Sequence, residues 1–99
     1  MLNIKKSLAD GTLCLELEGR LDTVTAPKLE KELQQSLTGA DRLVLDLERL
    51  EYISSAGLRV LLSAQKVMAA RGGMKLTHVG PVVMEVFEIT GFADILTII

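Results

Sequence analysis

Cysteine, histidine and tryptophan are almost missing from these 99 residues: Cys14 and His78 are single instances and there is no Trp. A lone thiol closes no internal disulfide, and no charged leader with an apolar stretch and a small-residue cleavage site opens the chain. A reducing cytoplasm is therefore the expected compartment. Aromatic residues make up only 3% (Tyr52, Phe87 and Phe92), so platforms for stacking bases are lacking. Positive charge is not in excess either: 11 Lys and Arg against 13 Asp and Glu leave a formal net charge of −2. That balance offers no footprint for a phosphate backbone or an anionic membrane, and nucleic acid is excluded as an expected partner. No apolar run approaches the roughly 20 residues of a membrane span.

The same scarcity limits chemistry. A nucleophilic hydrolase needs a base beside its serine, and the only histidine falls on a predicted strand with Lys75 and Thr77. The nucleophile elbow also wants glycine two positions before the serine, where Ile53 precedes Ser55. Cys14 and the scattered carboxylates show no metal-ligand spacing, and Cys14 has no partner thiol and reads as a packed structural residue. Glu16 and Glu18 lie on the polar face of a strand as solvated charge. Gly72-Gly73 ends a helix, whereas a phosphate-cradling loop opens one. Neither an enzyme, a cofactor nor a metal is expected.

What the chain has in quantity is aliphatic residue. Hydrophobic residues reach 48% and charged residues 24%, the balance of one folded domain spanning residues 1–99. Leu2, Ile4 and Leu8 alternate with polar neighbours, interrupted by Lys6, and Leu13, Leu15 and Leu17 do the same. Asp10-Gly11 between the two runs supplies a tight hairpin turn, so these strands are antiparallel neighbours. From there the period changes. Leu29, Leu33 and Leu37 form one helical stripe, with Thr25 as the expected N-cap, Pro27 in the first turn and Gly39 as the stop. Arg42 to Leu47 reads as a central strand covered by helices on both sides.

A second helix begins near Ser54 or Ser55 and runs through Leu58, Leu61, Leu62, Ala64, Val67 and Met68 to Gly72-Gly73. Met74 to Val79 reads as a strand and Val82 to Ile89 as a short helix stopped at Gly91, with Ile95 to Ile99 as a last strand. The order β-β-α-β-α-β-α-β makes a mixed-sheet α/β domain: an N-terminal antiparallel hairpin, then parallel strands, with three to four helices.

Tyr52-Ile53-Ser54-Ser55-Ala56-Gly57-Leu58 stands out, because it places two hydroxyls at a strand-to-helix junction. One serine suffices for capping, worth about 1 kcal/mol. The second, held beside Ala56 and Gly57, is accessible to another protein and open to modification.

With those residues in view, the chain resembles the STAS family, the small domains of anti-sigma factor antagonists. Gly19-Arg20-Leu21-Asp22-Thr23 with Thr25-Ala26-Pro27 resembles the family's G-x-L-D-T-x-T-A block. Leu43 to Leu47 resembles its central strand and Tyr52 to Leu58 its phosphorylation motif, while Gly80-Pro81-Val82, Phe87 and Thr90-Gly91-Phe92 match its closing helix. In the family's Asp-Ser-Ser/Thr-Gly-Leu motif, matching Gly57-Leu58 puts the modified serine on Ser55, with Ser54, the second choice, replacing the aspartate. The resemblance implies partner switching. The unmodified domain binds an anti-sigma factor that is also a serine kinase, phosphorylation ends the binding, and a PP2C-type phosphatase restores it. Asp22, Thr23, Ser54, Ala56, Gly57 and Leu58 are then the expected partner contacts, and the free domain is expected to be a monomer. The alternative is an unphosphorylated STAS module serving a transport system.

Overall fold

The computed structural model describes residues 1–99. Seven regular elements follow one another: strand β1 (Leu2–Ala9), strand β2 (Thr12–Leu21), helix α1 (Ala26–Ser36), strand β3 (Arg42–Ile53), helix α2 (Ser55–Ala69), strand β4 (Met74–Thr77) and helix α3 (Pro81–Thr90). The strands lie side by side in the order β1-β2-β3-β4. β1 and β2 are antiparallel, and β2 with β3 and β3 with β4 are parallel. Asp10 and Gly11 both take positive φ, 52° and 77°, which the tight hairpin turn demands.

Leucine dominates the interior. Leu13, Leu15 and Leu17 of β2 and Leu43, Leu45 and Leu47 of β3 share one sheet face with exposures of at most 1%, and α1, α2 and α3 cover it with Leu29, Leu33, Leu58, Leu61, Met68, Val83 and Phe87. Each such side chain contributes roughly 1.5–3 kcal/mol of transfer free energy. The expectation of helices on both sides of β3 fails. The opposite face carries Lys5, Ser7, Cys14, Glu16, Val44, Asp46, Lys75 and Thr77, all exposed or half-buried. Because both parallel crossovers step the same way across the sheet and are right-handed, they put their helices on the same side.

Lys6, which interrupts the apolar alternation of β1, sits opposite Leu15 on the helix-facing side and reaches Glu32 of α1 at 3.3 Å. A charge pointing inward from an edge strand discourages pairing with a second chain. At the other edge the expected last strand is reduced to one parallel bridge, Leu76 with Ile98, after a short 3-10 turn at Phe92–Asp94. The Leu76 amide donates to Thr97 O at 2.8 Å and the Ile99 amide to Leu76 O at 2.9 Å, so the C-terminal segment covers the edge of β4. β4 is shorter than the expected 74–79 because His78 turns into the left-handed region, with φ 57°.

β3 runs six residues past its expected end at Leu47. Glu48, Arg49 and Glu51 interrupt the apolar pattern there, but Leu50 and Ile53 stay buried beside β2. Two irregularities in the β2–β3 ladder, at Glu16/Glu18 and Gly19/Arg20, shift the register. Gly19 has φ 108°, and a Cβ there would lie 2.1 Å from the carbonyl oxygen of Met1, so only glycine fits.

Candidate functional site

β2 and β3 run parallel and finish together. Leu21 pairs with Ile53, and the Ser54 amide donates to Leu21 O at 2.9 Å. Whatever follows each strand is therefore brought to the same place, the carboxyl end of the two central strands, where open α/β sheets place their ligands. After β2 comes the turn Asp22–Thr25, and after β3 comes the Ser54-Ser55 junction.

The two serines divide the labour as their local geometry dictates. Ser54 is extended (φ −100°, ψ 176°) and caps α2, its hydroxyl accepting from the Gly57 amide at 3.4 Å. Ser55 is the first residue of the helix, is exposed, and makes no side-chain hydrogen bond. No acidic residue occupies the first turn of α2, so the positive end of the helix dipole is uncompensated beside that free hydroxyl.

Gly57 and Leu58, expected as partner contacts, lie beneath the surface, with Leu58 at 5% exposure. A Cβ on Gly57 would come within 2.7 Å of Leu21 Cγ and 2.9 Å of Ile53 Cγ1. Glycine lets α2 rest directly on the strand ends, and the pair shapes the junction instead of facing outward. Ala56 is half-buried and Thr23 exposed.

Asp22 organises the neighbouring turn. Its Oδ1 accepts from the Val24 and Thr25 amides at 3.0 Å each and from the Thr25 hydroxyl at 3.1 Å. These bonds, the Thr25 amide foremost, hold its carboxyl below the ordinary carboxylate range, and the α-amino group of Met1 adds to the effect. Thr25 holds the expected N-cap position of α1, but its side chain makes no cap bond. Its hydroxyl is taken by the Asp22 amide at 2.9 Å and by Arg20 O at 2.8 Å, leaving the cap position without a side-chain bond.

Two neighbours of the junction escape sequence reading. Arg20 stacks over Tyr52, 4.4 Å from the ring centre, and its Nε lies 3.8 Å from Asp22 Oδ2. Those residues become partners only through the shifted register that sets Arg20 beside Tyr52. Val24 is 86% exposed at the tip of the Asp22 turn, an apolar knob whose signal was an aliphatic residue between two threonines. Beside it a shallow groove of about 240 Å³ is lined by Thr23, Ala26, Pro27, Ala56 and Arg59 among others.

The remaining candidates lie elsewhere. Cys14 is half-buried on the open sheet face, where burial and then the charges of Asp46 and Glu16 push its thiol pKa up and make it a poor nucleophile. His78 is exposed one residue beyond β4, with Nδ1 3.2 Å from Asp46 Oδ1. No three His, Cys, Asp or Glu side chains converge as metal ligands, and no helix is long and apolar enough to cross a membrane.

A family model described as "Mlab, STAS domain" matches residues 4–98. A protein of Bordetella bronchiseptica that carries the name anti-sigma factor antagonist BtrV is 48% identical over 88 residues, covering 87% of this chain and 76% of its own length. The crystal structure of an anti-sigma factor antagonist from Mycobacterium paratuberculosis superimposes with a TM-score of 0.90 at 24% identity, covering 99% of this chain and 85% of that one. The phosphorylated form of the Bacillus cell fate determinant SpoIIAA shares the fold at a TM-score of 0.74 and 18% identity, covering 100% of this chain and 91% of that one.

Proposed function

The chain belongs to the STAS domain family, and on that footing we propose that it is an anti-sigma factor antagonist switched by phosphate on Ser55. Unmodified, it binds an anti-sigma factor with serine kinase activity. Phosphorylated, it lets go, and a PP2C-type phosphatase resets it. The protein works by binding, in the cytoplasm, and needs no catalytic group of its own. The observation that carries this reading is the exposed, unbonded Ser55 hydroxyl at an uncompensated helix N-terminus, one residue from a serine that already caps the helix.

The energetics separate folding from docking. A phosphate adds about −1.5 to −2 charge, and at a helix N-terminus the dipole and free amides stabilise it by roughly 0.3–2 kcal/mol. The fold is retained. At a closed interface the same dianion must shed water or meet like charge on the partner, at a cost of several kcal/mol, and about 1.4 kcal/mol is a factor of ten in affinity. Val24 and Thr23 offer the exposed apolar and polar contact that a partner covering Ser55 would use.

The test is to incubate the chain with its serine kinase and ATP and locate the phosphate by mass spectrometry, then measure kinase affinity for Ser55→Asp and Ser55→Ala. Phosphate on Ser55 and at least tenfold weaker binding of the aspartate variant are expected. Phosphate on Ser54 alone, or undiminished binding of Ser55→Asp, would overturn the assignment.

A further inference from the structure

Ser55 and Arg59 are four residues apart on α2, and both are exposed. Residues at that spacing share one helix face with Cβ atoms roughly 5–6 Å apart, and helical side chains lean toward the N-terminus, over the preceding turn. Arg59 borders the groove that Thr23 and Ala56 line near the junction and that Val60 and Ser63 line farther along α2. It is also unpaired. Arg20, the other cation near the junction, is held by Asp22 and stacked on Tyr52, whereas Arg59 has no carboxylate within 4.0 Å, although Glu30 lines the same groove. No other Lys or Arg precedes Lys66 on α2.

We propose that Arg59 is the built-in counter-charge of the Ser55 phosphate, a positioning residue that folds the phosphoryl group back along the first turn of α2 when Ser55 is modified. The assignment rests on the phosphorylation reading above and adds to it the group that receives the phosphate. A guanidinium offers paired N–H donors that match phosphate oxygens, and it remains charged throughout the titration of the phosphate. The modified state then has its own intramolecular resting geometry. Loss of partner affinity follows from a phosphate pinned over the junction as well as from its charge.

Phosphoserine installed at position 55 by an expanded genetic code supplies the modified full-length chain without a kinase. Its phosphorus NMR signal is titrated through the second ionisation, which is at about 6 for phosphoserine in general. Asp22 and Glu30 oppose that ionisation, while the α2 N-terminus, Arg20, the Met1 amine and Arg59 favour it, and only the last contribution changes in Arg59→Gln. The ionisation constant is expected to fall about two- to threefold in Arg59→Gln, to recover in Arg59→Lys, and to differ less between variants as salt is added.

Identical titrations in all three chains would overturn the proposal. So would weaker partner binding by unphosphorylated Arg59→Gln with an unmoved titration, which makes Arg59 a partner contact. A kinase that leaves Ser55 unmodified removes the phosphorylation reading instead, and the two failures are thereby told apart.

Discussion

At the scale of single residues, Gly57 is where the sequence has least freedom. Replacing a helical glycine by alanine normally gains up to about 1 kcal/mol, but the new methyl would lie 2.7 Å from Leu21 Cγ and 2.9 Å from Ile53 Cγ1. Those atoms belong to side chains that are fully buried and have little room to rotate away, and overpacking of this kind costs about 1–3 kcal/mol. The clash wins. Gly57→Ala is expected to lower unfolding free energy in urea by about 1–2 kcal/mol net, and to weaken kinase binding by lifting the first turn of α2 off the strands. Ser55 was legible as the free hydroxyl because two adjacent serines exceed what one cap requires. Gly57 and Leu58, expected as partner contacts, are buried, because closeness to Ser55 along the chain says nothing about which side of a helix a residue occupies.

Among the elements, the Asp22–Thr25 turn is held by one carboxylate serving three donors. Since the folded pKa of Asp22 lies below its unfolded value of about 4, its contribution to stability is fully present above that pH. It is lost as pH falls through the lower folded value. Asp22→Asn is expected to be less stable than the parent at neutral pH and to approach it in acid, as thermal melts across that range would register. Equal melting at neutral pH would show that the turn does not depend on the charge. The hairpin and α2 were readable because Asp10-Gly11 and the paired serines are local signals. The length of β3 and the missing side-chain bond at the Thr25 cap were not: the first depends on Leu50 and Ile53 packing against β2, the second on Arg20 O and Asp22 competing for one hydroxyl.

For the molecule as a whole, the one-sided sheet was the main surprise. Val44 and Asp46 read as part of a buried run, yet coverage is decided by crossover handedness, which no residue of β3 records. The C-terminal segment is the second global feature, for Leu96 is buried at 5% and anchors the chain over the edge of β4. Leu96→Ala is expected to cost about 2–3 kcal/mol in urea unfolding and to speed amide exchange at Leu76, whose N–H is otherwise bonded to Thr97. Unchanged exchange at Leu76 would mean that the segment stays in place without its anchor. The hairpin turn at Asp10-Gly11 lies at the start of β2, and Ser55 follows the far end of β3, so the length of a twelve-residue strand, on the order of 30 Å, stands between them. That pole is a natural handle. A fluorophore, affinity tag or surface tether grafted into the turn leaves the docking pole facing free solution, and binding and release can be followed on one immobilised molecule through repeated cycles.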